Sequence, residues 1–200
     1  IISIYPLSTP RMISGKGLDK AVKIHSKLKE IGYKTRMIVC NAHANASIDQ
    51  KMIADFMVWA ADRNINADEL IFTSQEKKEL EHGVSPKIVS DFFRISNIFI
   101  FPTVSENSSL VLLEAMLSGN LLVLNKQVGT LLEHAGSMAL YFDFDYREPK
   151  EKNEIYYLDL SKIIASEFEN NKSLQVKRRA LQRFNYDYIF KEIERLFYEE

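Results

Sequence analysis

Short runs of β-branched and aromatic residues alternate along this chain with longer segments whose apolar positions recur at helical spacing. The short runs predict strands at 1–5, 35–40, 69–72, 97–101 and 121–124, with a weaker strand at 138–142. The longer segments predict helices at 18–31, 48–62, 86–95 and 108–118. Strands and helices in this alternation form a parallel sheet covered by helices on both faces, so we expect an α/β fold.

The punctuation of the chain supports these boundaries and indicates a single domain over residues 1–200. Gly32 and Gly119 follow predicted helices, as expected of residues that end them. The sheet core is expected within 1–142, followed by a charged loop and a helical C-terminal tail over roughly 155–199. The chain begins without methionine in a strand-like run, which is how a piece of a longer protein would look.

Composition excludes several classes of partner. The 26 basic and 27 acidic residues give a net charge of -1, so no overall field attracts nucleic acid or an anionic membrane. No apolar stretch approaches the roughly 20 residues that span a bilayer. Cys40 is the single cysteine and closes an apolar run, which favours a buried thiol in a reducing compartment. We therefore expect a cytoplasmic protein.

Ligands of open parallel sheets bind outside the carboxyl ends of the strands, where the loops converge. The first such loop, 6–17, contains Arg11 and Lys16, with Gly15 and Gly17 on either side of the lysine. Two cations and close-approaching backbone suit a phosphate, although solvated surface charge is the alternative. The chain contains neither a G-x-G-x-x-G nor a Walker A pattern.

The loop at 102–108 and the helix after it form the second candidate region. Ser108 or Ser109 is expected to cap this helix, whose positive N-terminal end favours an anion such as a diphosphate. Asn107 and Leu110 flank the two serines, and Glu106 precedes them in the loop. This loop and helix start therefore form a second candidate anion site.

Glu114 lies further along the same predicted helix. Helical spacing places it on one face with Leu110 and Leu117, and we expect that face to point inward. A buried carboxylate needs hydrogen-bond donors. A backbone N–H group or a lysine would satisfy it, and so would the paired hydroxyl groups of a ribose.

Three motifs in this order resemble those of the group 1 (family four) retaining glycosyltransferases. Arg11 and Lys16-Gly17 are similar to the family's R-x4-K-G loop, and Glu106 and Glu114 resemble its two glutamates separated by seven residues. Val128-Gly129 with Glu133 is similar to the V-G-G-x-x-E stretch. The resemblance spans residues 1 to about 142 and implies a Rossmann-like sheet that is the C-terminal, donor-binding half of a GT-B enzyme.

The resemblance also implies roles for individual residues. Arg11 and Lys16 would bind the diphosphate of a nucleotide-sugar and stabilise the leaving group, Glu106 would face the sugar, and Glu114 would bind the ribose. The donor-binding set implied is Arg11, Lys16, Glu106, Asn107, Ser108, Ser109, Leu110 and Glu114. Transfer of a hexose to a glycan, lipid or other hydroxyl acceptor would then proceed with retention and without a cofactor or an obligatory metal.

The partners implied are a nucleoside-diphosphate sugar and an absent N-terminal acceptor-binding domain, through which any membrane contact would occur. No nucleic acid is expected. The nearest D-x-D motif, at 143–146, precedes a surface loop and is interpreted as solvated charge, and the nucleobase is expected at the 73–85 loop.

The chain departs from the family pattern at Asn107, Ser108 and Ser109, which stand in place of G-F-G, and at Thr130, which replaces the second glycine after Val128. These changes keep a second hypothesis open, namely a nucleotide- or sugar-phosphate-binding module without transfer activity. A GT-B epimerase or phosphorylase is a third possibility.

Overall fold

The fold is built on a six-stranded sheet of the expected α/β type. The computed structural model describes residues 1–7, 16–41, 50–76, 80, 83–144, 153–170, 173–184 and 191. The strands are β1 (Ile2–Leu7), β2 (Arg36–Asn41), β3 (Leu70–Phe72), β4 (Ile98–Phe101), β5 (Leu121–Asn125) and β6 (Ala139–Phe142). Each prediction is confirmed to within two residues at either end, because compact β-branched and aromatic runs mark these strands clearly.

The helices follow the strands in sequence. They are α1 (Leu18–Glu30), α2 (Gln50–Ala61), α3 (Thr73–Glu76), α4 (Pro86–Ile95), α5 (Leu110–Ser118), α6 (Gly129–Ala135), α7 (Asn153–Asn170) and α8 (Ser173–Arg183). The sequence predicted all but the short helices α3 and α6. None of these described helices is both long and apolar enough to cross a membrane.

All neighbouring strands are parallel and lie in the order β3-β2-β1-β4-β5-β6. The chain therefore starts in the centre of the sheet, extends it to one side, and crosses back to β4 to build the other side. The order reverses between β1 and β4, and in open α/β sheets such a reversal opens a crevice at the carboxyl ends of the strands.

Two apolar cores lie on opposite faces of this sheet. One contains Tyr5, Val39 and Ile53 and packs under α1, α2 and α7, and the other contains Ile4, Phe99 and Met116 and packs under α4, α5, α6 and α8. Helix α7 contacts α1, and α8 contacts α5. The tail predicted at 155–199 thus covers both faces as far as it is described. The crevice between β1 and β4 is bordered by the starts of α1 and α5.

Candidate functional site

Lys16 and Glu106 meet at the carboxyl ends of β1 and β4, although 90 residues separate them along the chain. The Lys16 ammonium donates to Glu106 Oε2 at 2.8 Å, and the two side chains are 28% and 17% exposed. Lys16 Nζ also lies 5.7 Å from the ring centroid of Phe101. The structure therefore brings together two of the residues that the resemblance implied.

The backbone conformation and the close packing at position 17 require a glycine after Lys16. The φ of Gly17 is +79°, and a Cβ at this position would lie 2.8 Å from both the ring and the carbonyl oxygen of Pro102. A side chain would be strained and would also push the β4–α5 loop away from α1. The hydroxyl of buried Tyr5 donates to the Lys16 carbonyl from below, and burial followed by the Asp19 charge raises the Tyr5 pKa. The main chain at Lys16 and Gly17 is therefore held by Tyr5 of β1 and packed against the β4–α5 loop.

Helix α5, which follows Glu106, begins with the serine cap that was expected for the second candidate region. Ser109 is its N-cap and accepts a hydrogen bond from the Leu112 N–H group at 3.2 Å, so of the two serines it is Ser109 that caps. Asn107, Ser108 and Leu110 are exposed around this helix end. The positive end of α5 and the Lys16 ammonium therefore border the same crevice.

Glu114 is not buried, so the sequence-based prediction of its environment was wrong. The face that it shares with Leu110 and Leu117 is exposed, with the two leucines 70% and 43% accessible. The opposite face of α5 packs on the sheet, through Leu112, Ala115 and Met116. Both faces of α5 are apolar, so helical periodicity could group Glu114 with the leucines but could not decide which face turns inward.

Glu114 is close enough to the sheet for its charge to affect the pKa of the Cys40 thiol. Burial raises the pKa of the Cys40 thiol to about 12, and the charge of Glu114 contributes to that rise. Cys40 is a free, buried thiol near the end of β2, as predicted. The Glu114 carboxylate is therefore on the surface of α5 and within electrostatic reach of the carboxyl end of β2.

Asn125 connects three loops at this edge of the sheet and was not singled out from the sequence. Its buried amide nitrogen donates to the Thr103 and Phe144 carbonyls at 2.9 and 3.2 Å. Its amide oxygen accepts from the Gln127 and Phe144 N–H groups at 3.1 and 3.4 Å. A polar residue closing the apolar run "LLVLN" was the available sign that β5 ends in a specific hydrogen-bonding position.

The remaining expectations concern other parts of the sheet edge. Arg11 and Gly15 lie outside the described residues, so the first loop is represented by Lys16 and Gly17.

The predicted 73–85 loop begins with the short helix α3. The hydroxyls of buried Thr73 and Ser74 in this helix have no hydrogen-bond partner among the described residues. Asp143 of the D-x-D stretch forms an ion pair with Lys126 at 3.3 Å. The described residues contain no cluster of ligands suited to a metal ion.

Strand order, parallel pairing and the helices on both faces define this chain as a Rossmann-like half of the GT-B glycosyltransferase fold, which confirms the expected architecture. It superposes on the pneumococcal O-GlcNAc transferase GtfA, solved with UDP and GlcNAc, with a TM-score of 0.68 and 12% identity over 98% of this chain and 35% of GtfA. WaaG, a glycosyltransferase involved in lipopolysaccharide biosynthesis, gives 0.64 and 14% over 98% of this chain and 47% of WaaG.

A further similar structure is sucrose-phosphate synthase from Thermosynechococcus elongatus, with a TM-score of 0.62 and 12% identity over 98% of this chain and 44% of that one. This chain therefore spans less than half the length of each of these three proteins. At such identities the likeness is one of fold. No family model matches the chain, and its sequence matches no curated protein.

Proposed function

We propose that this chain is the nucleotide-sugar-binding domain of a retaining glycosyltransferase that transfers a hexose to a glycan, lipid or other hydroxyl acceptor. The observation that carries the proposal is the Lys16–Glu106 pair, which lies at the carboxyl edge of a GT-B half-fold. A cation held there beside a helix N-terminus suits the diphosphate of a nucleotide-sugar.

Lys16 can bind a phosphate oxygen without releasing Glu106, because an ammonium group has three donors. Its positive charge would stabilise the negative charge that develops on the diphosphate as the sugar departs. The resemblance assigns Arg11 to the same task. With these cations and the α5 N-terminus, charge stabilisation would not require a metal ion.

Glu106 and Glu114 would bind opposite ends of the donor. Glu106 lies between Lys16 and the start of α5, where the sugar attached to the diphosphate would be placed. Glu114 is exposed on α5, and its two carboxylate oxygens can accept hydrogen bonds from both hydroxyls of a ribose. The exposed Leu110 and Leu117 would provide apolar contact on either side of the ribose.

Transfer would require a second domain to hold the acceptor and exclude water. The short span of this chain relative to the similar structures supports that requirement. We therefore expect the isolated chain to bind nucleoside diphosphates at about 10–1,000 μM, because half of the cleft is open, and to transfer no sugar.

The test is calorimetric titration of the chain with UDP, GDP, ADP and TDP. Lys16→Met should weaken binding of the preferred diphosphate by about tenfold or more, the effect of losing a charge-assisted hydrogen bond. Lys29→Met is the matched control, because Lys29 forms an ion pair of the same 2.8 Å length at the opposite edge of the sheet. Equal effects of the two substitutions, or no binding of any diphosphate, would refute the proposal.

The alternative is a binding module without transfer activity, and the residues at 107–109 that depart from the family pattern keep it open. It predicts diphosphate binding by the chain but no donor turnover by the whole protein. An assay of the whole protein with the nucleotide-sugar of the preferred base therefore separates the two functions.

A further inference from the structure

Glu106 is held from two directions. Its carboxylate accepts from Lys16 Nζ at 2.8 Å, and its backbone carbonyl accepts from the hydroxyl of Thr130 at 2.8 Å. Thr130 lies in the first turn of α6, 24 residues further along the chain. One element therefore contacts the charged end of Glu106, and a different element fixes its main chain.

The Thr130 bond restrains a segment of the loop, residues 106–108, that lies between two ends held by other hydrogen bonds. Before Glu106, the Thr103 hydroxyl donates to the Ser105 carbonyl at 2.9 Å, and Asn125 holds the Thr103 carbonyl. After it, Ser109 is fixed as the helix cap. Among the described residues, the Thr130 hydroxyl makes the one hydrogen bond to the main chain of residues 106–108. Removing it would free that segment to rotate between its two fixed ends.

We propose that Thr130 is a positioning residue that orients the Glu106 carboxylate toward Lys16 and toward the donor sugar. The proposal rests on the function proposed above and names a residue that acts through Glu106 without touching the substrate. Glycine at position 130 could not form this bond, because the bond comes from the threonine hydroxyl. Thr130 thus restrains the chain at the point where Glu106-Asn107-Ser108-Ser109 stands in place of a glycine-rich loop.

The first test needs no nucleotide and uses NMR of the whole chain. The carbonyl carbon of Glu106 reports the bond from Thr130, and its side-chain carboxyl carbon reports the contact with Lys16. Thr130→Val, which removes the hydroxyl at nearly constant volume, should move both resonances. Thr130→Ser, which keeps the hydroxyl, should leave both near their parent positions.

Thr35→Val is the matched control. Thr35 is buried, whereas Thr130 is half-buried, and the Thr35 hydroxyl has no hydrogen-bond partner in the described part of the chain. Its substitution should leave both Glu106 resonances unchanged. A Thr130→Val variant that moves the carbonyl carbon while the carboxyl carbon stays at its parent position would overturn the positioning role.

The second test compares binding of UDP-glucose with binding of UDP. Because Glu106 would face the sugar, Thr130→Val should reduce the ratio of the two affinities by about threefold to tenfold, as expected for one hydrogen bond, and Thr130→Ser should restore it. An equal loss of affinity for both ligands would overturn the role of Thr130 in sugar positioning, but it would not contradict the proposed nucleotide site. If the parent binds neither ligand, UDP-type donors are refuted, and the NMR result alone decides whether Thr130 positions Glu106.

Discussion

Two ion pairs of equal length lie at opposite edges of the sheet and differ in what surrounds them. Lys29 and Glu69 meet at 2.8 Å at the amino edge with side chains 22% and 16% exposed, which closely matches Lys16 and Glu106 at the carboxyl edge. Glu69 also accepts from the Asn66 N–H group, and Lys29 also donates to the Asn64 carbonyl. The amino-edge pair is thus tied into a turn.

The titration of Glu69 reflects this environment. Burial raises the Glu69 pKa, but the hydrogen bonds from Asn66 and Lys29 outweigh burial, so its pKa lies below the ordinary value. At the carboxyl edge, the described contact of the Glu106 carboxylate is Lys16, and the loops there are fixed by the neutral side chains of Asn125 and Thr130. Lys16 also donates to the Ser105 carbonyl, but at 3.5 Å, so the main chain holds this lysine less closely than it holds Lys29. This difference fits the ligand-binding role proposed for Lys16.

The largest effect is expected at Asn125. Asn125→Leu removes four hydrogen bonds and leaves the buried Thr103 carbonyl and Phe144 N–H group without a partner among the described residues. We expect a loss of about 2–4 kcal/mol in the free energy of unfolding, measured by urea denaturation. Lys126→Leu, at the exposed neighbouring position, is the control and should change stability little. A small loss at Asn125 would mean that neutral side chains do not fix the loops of the carboxyl edge.

The second effect is acid sensitivity at the amino edge. His25 is buried against the Ser3 hydroxyl, and burial lowers its pKa from 6.5 to about 3. Between these values the unfolded chain binds a proton that the folded chain does not, so stability falls as the pH falls below 6.5. We expect a loss of about 2 kcal/mol between pH 7 and pH 5.

Urea denaturation at both pH values tests this expectation. His25→Gln should abolish most of the loss, whereas His134→Gln, on α6 at the opposite face of the sheet, should not. A parent protein equally stable at the two pH values would show that His25 is not held in its neutral form.

The third effect compares the two lysines directly. Lys29→Met should cost about 1–2 kcal/mol of unfolding free energy, because it leaves the shielded Glu69 carboxylate with one partner fewer. Lys16→Met should cost less, about 0.5–1 kcal/mol, because the second hydrogen bond of Lys16, to the Ser105 carbonyl at 3.5 Å, is longer than that of Lys29 to the Asn64 carbonyl at 2.8 Å. Thermal unfolding of both variants checks this order, and equal losses would erase the distinction between the two edges.

The smallest effect on stability is expected at Glu114. Because this residue is exposed on α5, Glu114→Gln should change unfolding free energy by less than about 0.5 kcal/mol. The same substitution should weaken nucleoside-diphosphate binding by about 1.5–3 kcal/mol if Glu114 binds the ribose. Calorimetry that shows unchanged binding would remove the ribose assignment.

The sequence predicted the sheet because its strands are short, apolar and clearly separated. Its motifs also singled out Lys16 and Glu106, which the structure places in contact. It missed α6, because "GTLLEHA" is too short to show periodicity and opens on glycine, a poor helix former. Missing α6 also hid the hydrogen bond from Thr130 to Glu106, since Thr130 was visible only as a departure from a pattern. Contacts such as Thr130 to Glu106 depend on how β5 and β4 align, and no local pattern encodes that alignment.

Glu114 shows a different limit. Its helix was predicted and its neighbours on the helix face were correct, but the face pointed the other way. With Leu110 and Leu117 on one side and Leu112 and Met116 on the other, the sequence offers two apolar faces. The sheet selects the face that contains Ala115, since a small residue permits close approach of the helix.

The pairing of β1 with β4 makes the site a late product of folding. Ser3 pairs with Ile98 across the sheet, and the part of the chain between Lys16 and Glu106 contains β2, β3, β4 and four of the described helices. Contacts between residues so distant along the chain form slowly, because the entropy of closing the loop is lost before any of them stabilises the chain. The nucleotide binding proposed above should therefore recover during refolding only after β4 has joined β1, which would make ligand affinity a kinetic marker for the step that unites the two halves of the sheet.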